Sequence, residues 1–67
     1  MNVYLNNDTV SIDSGASLHT VLEIKGFSEK KGIAVAVNNS VINRESWAQT
    51  LLADNDKILV ISATKGG

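Results

Sequence analysis

The stretch KILVIS (residues 57–62) sets four aliphatic side chains in a row, Ile58, Leu59, Val60 and Ile61, directly after the turn-forming trio Asp54-Asn55-Asp56. It reads as a strand from Ile58 to Ser62, because the run is short, β-branched and bounded by turn residues. Successive side chains of a strand point to opposite faces. Ile58 and Val60 are therefore expected to face a core, and Leu59 and Ile61 the other side of a sheet. If this strand lies in the middle of that sheet, beside the first strand, both must be well packed, and the apolar content of both suits that place.

Working outward, NVYLN (residues 2–6) and TVSID (residues 9–13) alternate apolar with polar residues around Asn6-Asn7-Asp8. The pattern predicts a hairpin with Val3 and Leu5 facing Val10 and Ile12, because Asn and Asp tolerate the positive φ of tight turns. After DSGAS (residues 13–17) the period becomes helical: Leu18, Val21 and Leu22 share one face, Ser14 or Ser17 is placed to cap the first turn, and Gly26 to stop the helix. Phe27 is expected to fold back onto the core, and SEKKG (residues 28–32) to be a polar connection. IAVAVN (residues 33–38) is a third strand bounded by Asn38-Asn39-Ser40. VINRESWAQT (residues 41–50) starts as a short strand and turns irregular.

The expected order is strand, strand, helix, strand, a short irregular or strand segment, and a last strand. One helix on one face of a sheet is the simplest arrangement that hides these apolar stripes. That is an α+β chain of β-grasp, or ubiquitin-like, topology: a mixed four- or five-stranded sheet packed on one main helix, with residues 1–67 forming a single domain and residues 64–67 a flexible tail.

Composition narrows the function. Sixty-seven residues bury roughly 60% of their surface, which argues against a deep catalytic cleft. Six Lys and Arg residues scattered among seven acids form no stripe for a phosphate backbone, so no nucleic acid is expected. With no cysteine and one histidine, a zinc site or a Ser/His/Asp triad lacks its parts. No apolar run approaches membrane-spanning length, so no membrane association is expected. The first residues lack the regions of a signal peptide, so the expected location is cytoplasmic. His19 lies off the apolar stripe of the helix and reads as a solvated surface histidine. Asp54 and Asp56 read as turn chemistry, and Trp47 as core or edge packing. Arg44 is expected to pair with Glu45 or with an acid of a partner.

Gly66 and Gly67 close the sequence. Without Cβ atoms, such a segment can enter a tunnel too narrow for side chains. Together with Val35 to Asn38, the Arg44/Trp47 pairing, and Leu52 followed by Asp56, these glycines make the chain resemble the ThiS family of sulfur carrier proteins. The Arg44/Trp47 spacing favours that family over the similar MoaD carriers. Members often carry glycine where this chain has Asn39 and Asn55. Asparagine is the residue that best replaces glycine in the left-handed region, so both turns are expected to survive.

The resemblance implies a protein cosubstrate and not an enzyme. A ThiF-like adenylating enzyme would join the Gly67 carboxylate to AMP, a sulfur-delivering enzyme would supply the sulfur, and the Gly67 thiocarboxylate would be used by thiazole synthase, ThiG, in thiamin biosynthesis. Thr64, Lys65, Gly66 and Gly67 would enter the partner's active site. ATP and magnesium would belong to that enzyme, with no cofactor bound by the carrier. Leu59 and Ile61 are the candidate partner-binding patch, small enough that the free protein is expected to be a monomer. The alternatives are a MoaD-like or other metabolite sulfur carrier, a ubiquitin-like protein modifier, and a noncovalent β-grasp module with an incidental glycine tail.

Overall fold

The computed structural model describes residues 1–62. Strands β1 (Asn2–Leu5) and β2 (Asp8–Ser11) precede helix α1 (Leu18–Ile24). Then come β3 (Ile33–Val37), β4 (Ser40–Ile42), a 3₁₀ helix (Arg44–Gln49) and β5 (Lys57–Ser62). The five strands form one sheet in the order β2-β1-β5-β3-β4. Strand β5 runs parallel to β1 and antiparallel to β3, so the last strand does lie in the middle of the sheet, beside the first.

Both hairpins turn on two asparagines. Asn6 and Asn7 have φ of 49° and 77°, Asn38 and Asn39 of 50° and 74°. Positive φ at both central residues is the signature of the two-residue turn whose twist suits a hairpin. The third residue of each expected turn is therefore already in a strand: Asp8 pairs with Leu5 and Ser40 with Val37. Strand β5 likewise begins one residue earlier than expected, at Lys57, because Lys57 lies opposite Tyr4 of β1.

Helix α1 has seven residues, too few to persist without packing. Ser17 caps it, accepting the Thr20 N–H at 3.3 Å. At the other end Gly26 (φ 82°) donates to the Glu23 carbonyl at 3.1 Å and Phe27 to the Leu22 carbonyl at 2.7 Å. This pair of bonds is the Schellman ending that glycine permits. Leu18, Val21 and Leu22 are wholly buried against Val3, Leu5, Val10, Ile12, Val35, Val37, Ile58 and Val60 of the sheet side, with Phe27 packed at the margin.

The segment expected to be irregular after β4 contains the 3₁₀ helix, which packs against α1 and buries Trp47. The Trp47 Nε1–H donates to the Ile42 carbonyl at 3.0 Å, so the indole fills the end of the core without an unmet polar atom. Trp47→Ala is expected to lower stability by about 3–5 kcal/mol, a large part of the total for a domain of this size, and Trp47→Phe clearly less. Urea unfolding checks this, and an Ala midpoint equal to wild type would place the ring outside the core.

Candidate functional site

Two regions carry the functional expectations. Thr64, Lys65, Gly66, Gly67 and the expected tail lie outside the described residues. The other region, the sheet face turned away from α1, is fully described.

Parity along β5 is as read: Ile58 and Val60 are buried, while Leu59 and Ile61 are 50% and 53% exposed. The neighbouring strands widen the patch. Ala36 of β3 stands opposite Leu59 on one side and opposite Val41 of β4 on the other, and Ala34 stands opposite Ile61. Val41 is 73% exposed. Two small alanines between larger aliphatic side chains leave a shallow trough along β3, walled by Leu59 and Ile61 on one side and Val41 on the other. Its width is about two strand spacings, roughly 10 Å. On the β1 side the face turns polar through the row Thr9, Tyr4 and Lys57. Val41 was legible in principle, since it alternates with Ser40 and Ile42, but its place in the patch depends on which strand β4 joins.

Arg44 behaves differently from expectation. Its guanidinium donates to the Ser28 carbonyl at 3.0 Å and also to the Lys30 carbonyl, and it lies over the Trp47 ring, 4.5 Å from the centroid. Backbone carbonyls of the polar connection therefore take the place of Glu45 or a partner's acid. A planar donor fork can serve two carbonyls and stack on an indole at once. The pair ties the 28–32 connection to the 3₁₀ helix.

His19 is half-buried beside the fully buried stripe of α1, less solvated than expected. Asp56 serves its turn as expected, whereas Asp54 ties that turn to β1. Asp54 Oδ1 accepts the Asn2 N–H at 2.9 Å, and Asp56 accepts the Ala53 N–H at 2.8 Å, around Asn55 at φ 73°. Among the described residues no three His, Cys, Asp or Glu side chains gather to hold a metal ion, and no helix is long and apolar enough to cross a membrane.

Five strands in this order around one helix define the class, a ubiquitin-like β-grasp domain. A crystal structure of the thiamine biosynthesis protein ThiS from Geobacter metallireducens superposes with a TM-score of 0.81 at 22% identity, all of each chain being covered. SAMP1 from Haloferax volcanii superposes at 0.68 with 16% identity, over 98% of this chain and 97% of that one. At such identities these likenesses speak for the fold alone. The sequence goes further. The ThiS family model matches residues 2–67, and the chain belongs to the ThiS family. It is 31% identical over 67 residues to the sulfur carrier protein ThiS of Escherichia coli K12, with both chains covered completely. It is also 30% identical over 67 residues to a thiazole synthase of Magnetococcus marinus, all of this chain matching 20% of that protein.

Arg44→Ala is expected to cost about 1–2 kcal/mol of stability, and Arg44→Lys nearly as much, because an ammonium cannot reproduce the fork. Chemical denaturation of the two variants tests this. A Lys variant as stable as wild type would mean that charge alone matters there.

Proposed function

We propose that this protein is a sulfur carrier for thiazole formation in thiamin biosynthesis, a cosubstrate of other enzymes and not itself a catalyst. The observation that carries the reading is family membership over residues 2–67, which includes Gly66 and Gly67.

The chemistry follows from what a carboxylate lacks. It is a poor electrophile, so the Gly67 carboxylate oxygen first attacks the α-phosphorus of ATP on a ThiF-like adenylating enzyme. The α–β anhydride bond breaks, pyrophosphate leaves, and an acyl adenylate remains. A hydrosulfide equivalent from a sulfur-delivering enzyme then attacks the acyl carbon. The acyl C–O bond breaks, AMP leaves with its electron pair, and a proton goes to solvent, leaving a Gly67 thiocarboxylate with no net redox change. Magnesium and ATP act on the partner. Thr64, Lys65 and Gly66 connect Gly67 to β5 and enter the partner's site, where a glycine adds no bulk beside the reacting carbon.

Thiazole synthase, ThiG, is the acceptor. The support is that one fifth of a thiazole synthase from another organism resembles this entire chain, as expected if carrier and synthase are joined in one polypeptide there. The open sheet face, with Leu59, Ile61 and Val41 around Ala34 and Ala36, is the docking surface. Exposed aliphatic side chains grouped on one face favour a partner's apolar side chains over water. Strand β5 supplies two of these residues and leads directly to the carboxyl-terminal segment. The free protein is a monomer with no bound cofactor.

Two measurements test this reading. Incubation with ATP, magnesium, a sulfur source and the host's adenylating enzyme is expected to raise the intact mass by the exchange of one oxygen for one sulfur at Gly67. Conjugates to lysine amines instead would indicate a protein modifier, and an unchanged mass beside a converted control carrier would sink the proposal. Leu59→Asp is expected to raise the KM of the carrier in the adenylation reaction about tenfold with kcat little changed. An unchanged KM would remove the open face from the docking surface.

A further inference from the structure

The two asparagine turns do more than reverse the chain. Strand β1 stops pairing with β5 at Leu5, opposite Ile58, because the next residue, Asn6, enters the left-handed region and the chain turns away. The Asn6 N–H still donates to the Ile58 carbonyl at 3.0 Å. In a longer parallel pair, the carbonyl of the same residue would accept the next N–H on that edge of β5, that of Val60. Here the side chain takes over. Asn6 Oδ1 accepts the Val60 N–H at 2.9 Å, and Asn6 Nδ2 donates to the Val60 carbonyl at 3.3 Å, across 54 residues of sequence.

Asn38 makes the matching contact at the beginning of β5, on the β3 edge. Its N–H donates to the Lys57 carbonyl at 2.8 Å, its Oδ1 accepts the Lys57 N–H at 3.0 Å, and its Nδ2 donates to Asp56 Oδ1 at 2.9 Å. One amide thus clamps the beginning of β5 and the other its second half. The Asn6 clamp engages both backbone groups of Val60, two residues before Ser62. On the opposite edge, β3 stays paired as far as Ile33 with Ser62.

We infer that Asn6 is a positioning residue for delivery of the carboxyl terminus, its amide fixing the backbone of β5 at Val60, from which the carboxyl-terminal residues follow in sequence. The inference rests on the carrier reading, since the residue to be delivered is Gly67. Asn6 touches no reacting atom and acts only through the backbone of β5. Its effect is expected in the rate at which the delivered carboxylate is adenylated and not in docking, because the aliphatic trough on the open face does not include it.

The test compares Asn6→Gly with Asn38→Gly in the full chain, measuring pyrophosphate release by the host's adenylating enzyme with ATP and magnesium while the carrier is varied. Glycine accepts the same positive φ, so each variant removes one amide without backbone strain. Asn6→Gly is expected to lower kcat by roughly tenfold or more, with KM within about twofold of wild type and faster hydrogen exchange at the Val60 amide. Asn38→Gly, which loosens the beginning of the strand, is expected to keep kcat. Asn6→Asp, which keeps an acceptor for the Val60 N–H but sets an oxygen against the Val60 carbonyl, is expected to share the lowered kcat, and circular dichroism checks that all three are folded. Wild-type kcat in Asn6→Gly, or an equal fall in Asn38→Gly, overturns the inference while leaving the carrier reading intact. No turnover by wild type overturns the carrier reading and the positioning role with it.

Discussion

Strand β5 is flanked on both edges by strands that are not its neighbours in sequence, and it lends Ile58 and Val60 to the core. Its place lies between two hairpins, β1–β2 on one edge and β3–β4 on the other, with α1 covering the face that Ile58 and Val60 bury. Closing the β1–β5 contact brings together residues more than fifty positions apart, whose loop-closure cost precedes any gain from pairing. Burial of Leu18, Val21 and Leu22 against both halves of the sheet offsets that cost, since each half supplies part of the surface that the helix covers.

A central last strand also has a functional consequence. Its two faces do different work: one closes the core, and the other, with Leu59 and Ile61, joins Ala34, Ala36 and Val41 in an exposed aliphatic trough. Gly66 and Gly67 follow this strand within five residues of sequence, so the proposed docking surface and the proposed sulfur-bearing end are linked by one short stretch of chain. The chain belongs to a family of sulfur carriers, which are not themselves catalysts. Asn6, Asn38 and the Arg44–Trp47 pair are polar or charged, yet each is spent on holding backbone in place.

Much of this was legible in particular residues. The alternation in NVYLN and TVSID, the Leu18, Val21, Leu22 stripe and the glycine at 26 each specify an element through local physics, and each element forms. Other features depended on contacts that a linear reading lacks. Ser14 and Ser17 were equivalent as caps until Leu18 N–H bonded the Thr50 carbonyl and fixed where the helix starts. The 3₁₀ helix has a single buried apolar side chain, Trp47, and so shows no periodicity. Arg44 found carbonyls and not a carboxylate, because the 28–32 connection folds across the end of the 3₁₀ helix, 14 to 16 residues away in sequence. Val41 joins the patch only because β4 pairs with β3 and faces outward there.

Side-chain period and turn chemistry are local properties that need no neighbours, so the first hairpin, α1, β3 and β5 were legible in the residues, as were the buried faces of the hairpin, α1 and β5 and, with the terminal glycines, the family resemblance. The clamping of β5 by the amides of Asn38 at its beginning and Asn6 in its second half, and the joining of the open-face aliphatics into one trough across three strands, arise only in the folded molecule. Those outcomes are set by register between strands distant in sequence. Register is fixed by which apolar rows must meet the helix, a condition that exists only once the whole sheet has assembled.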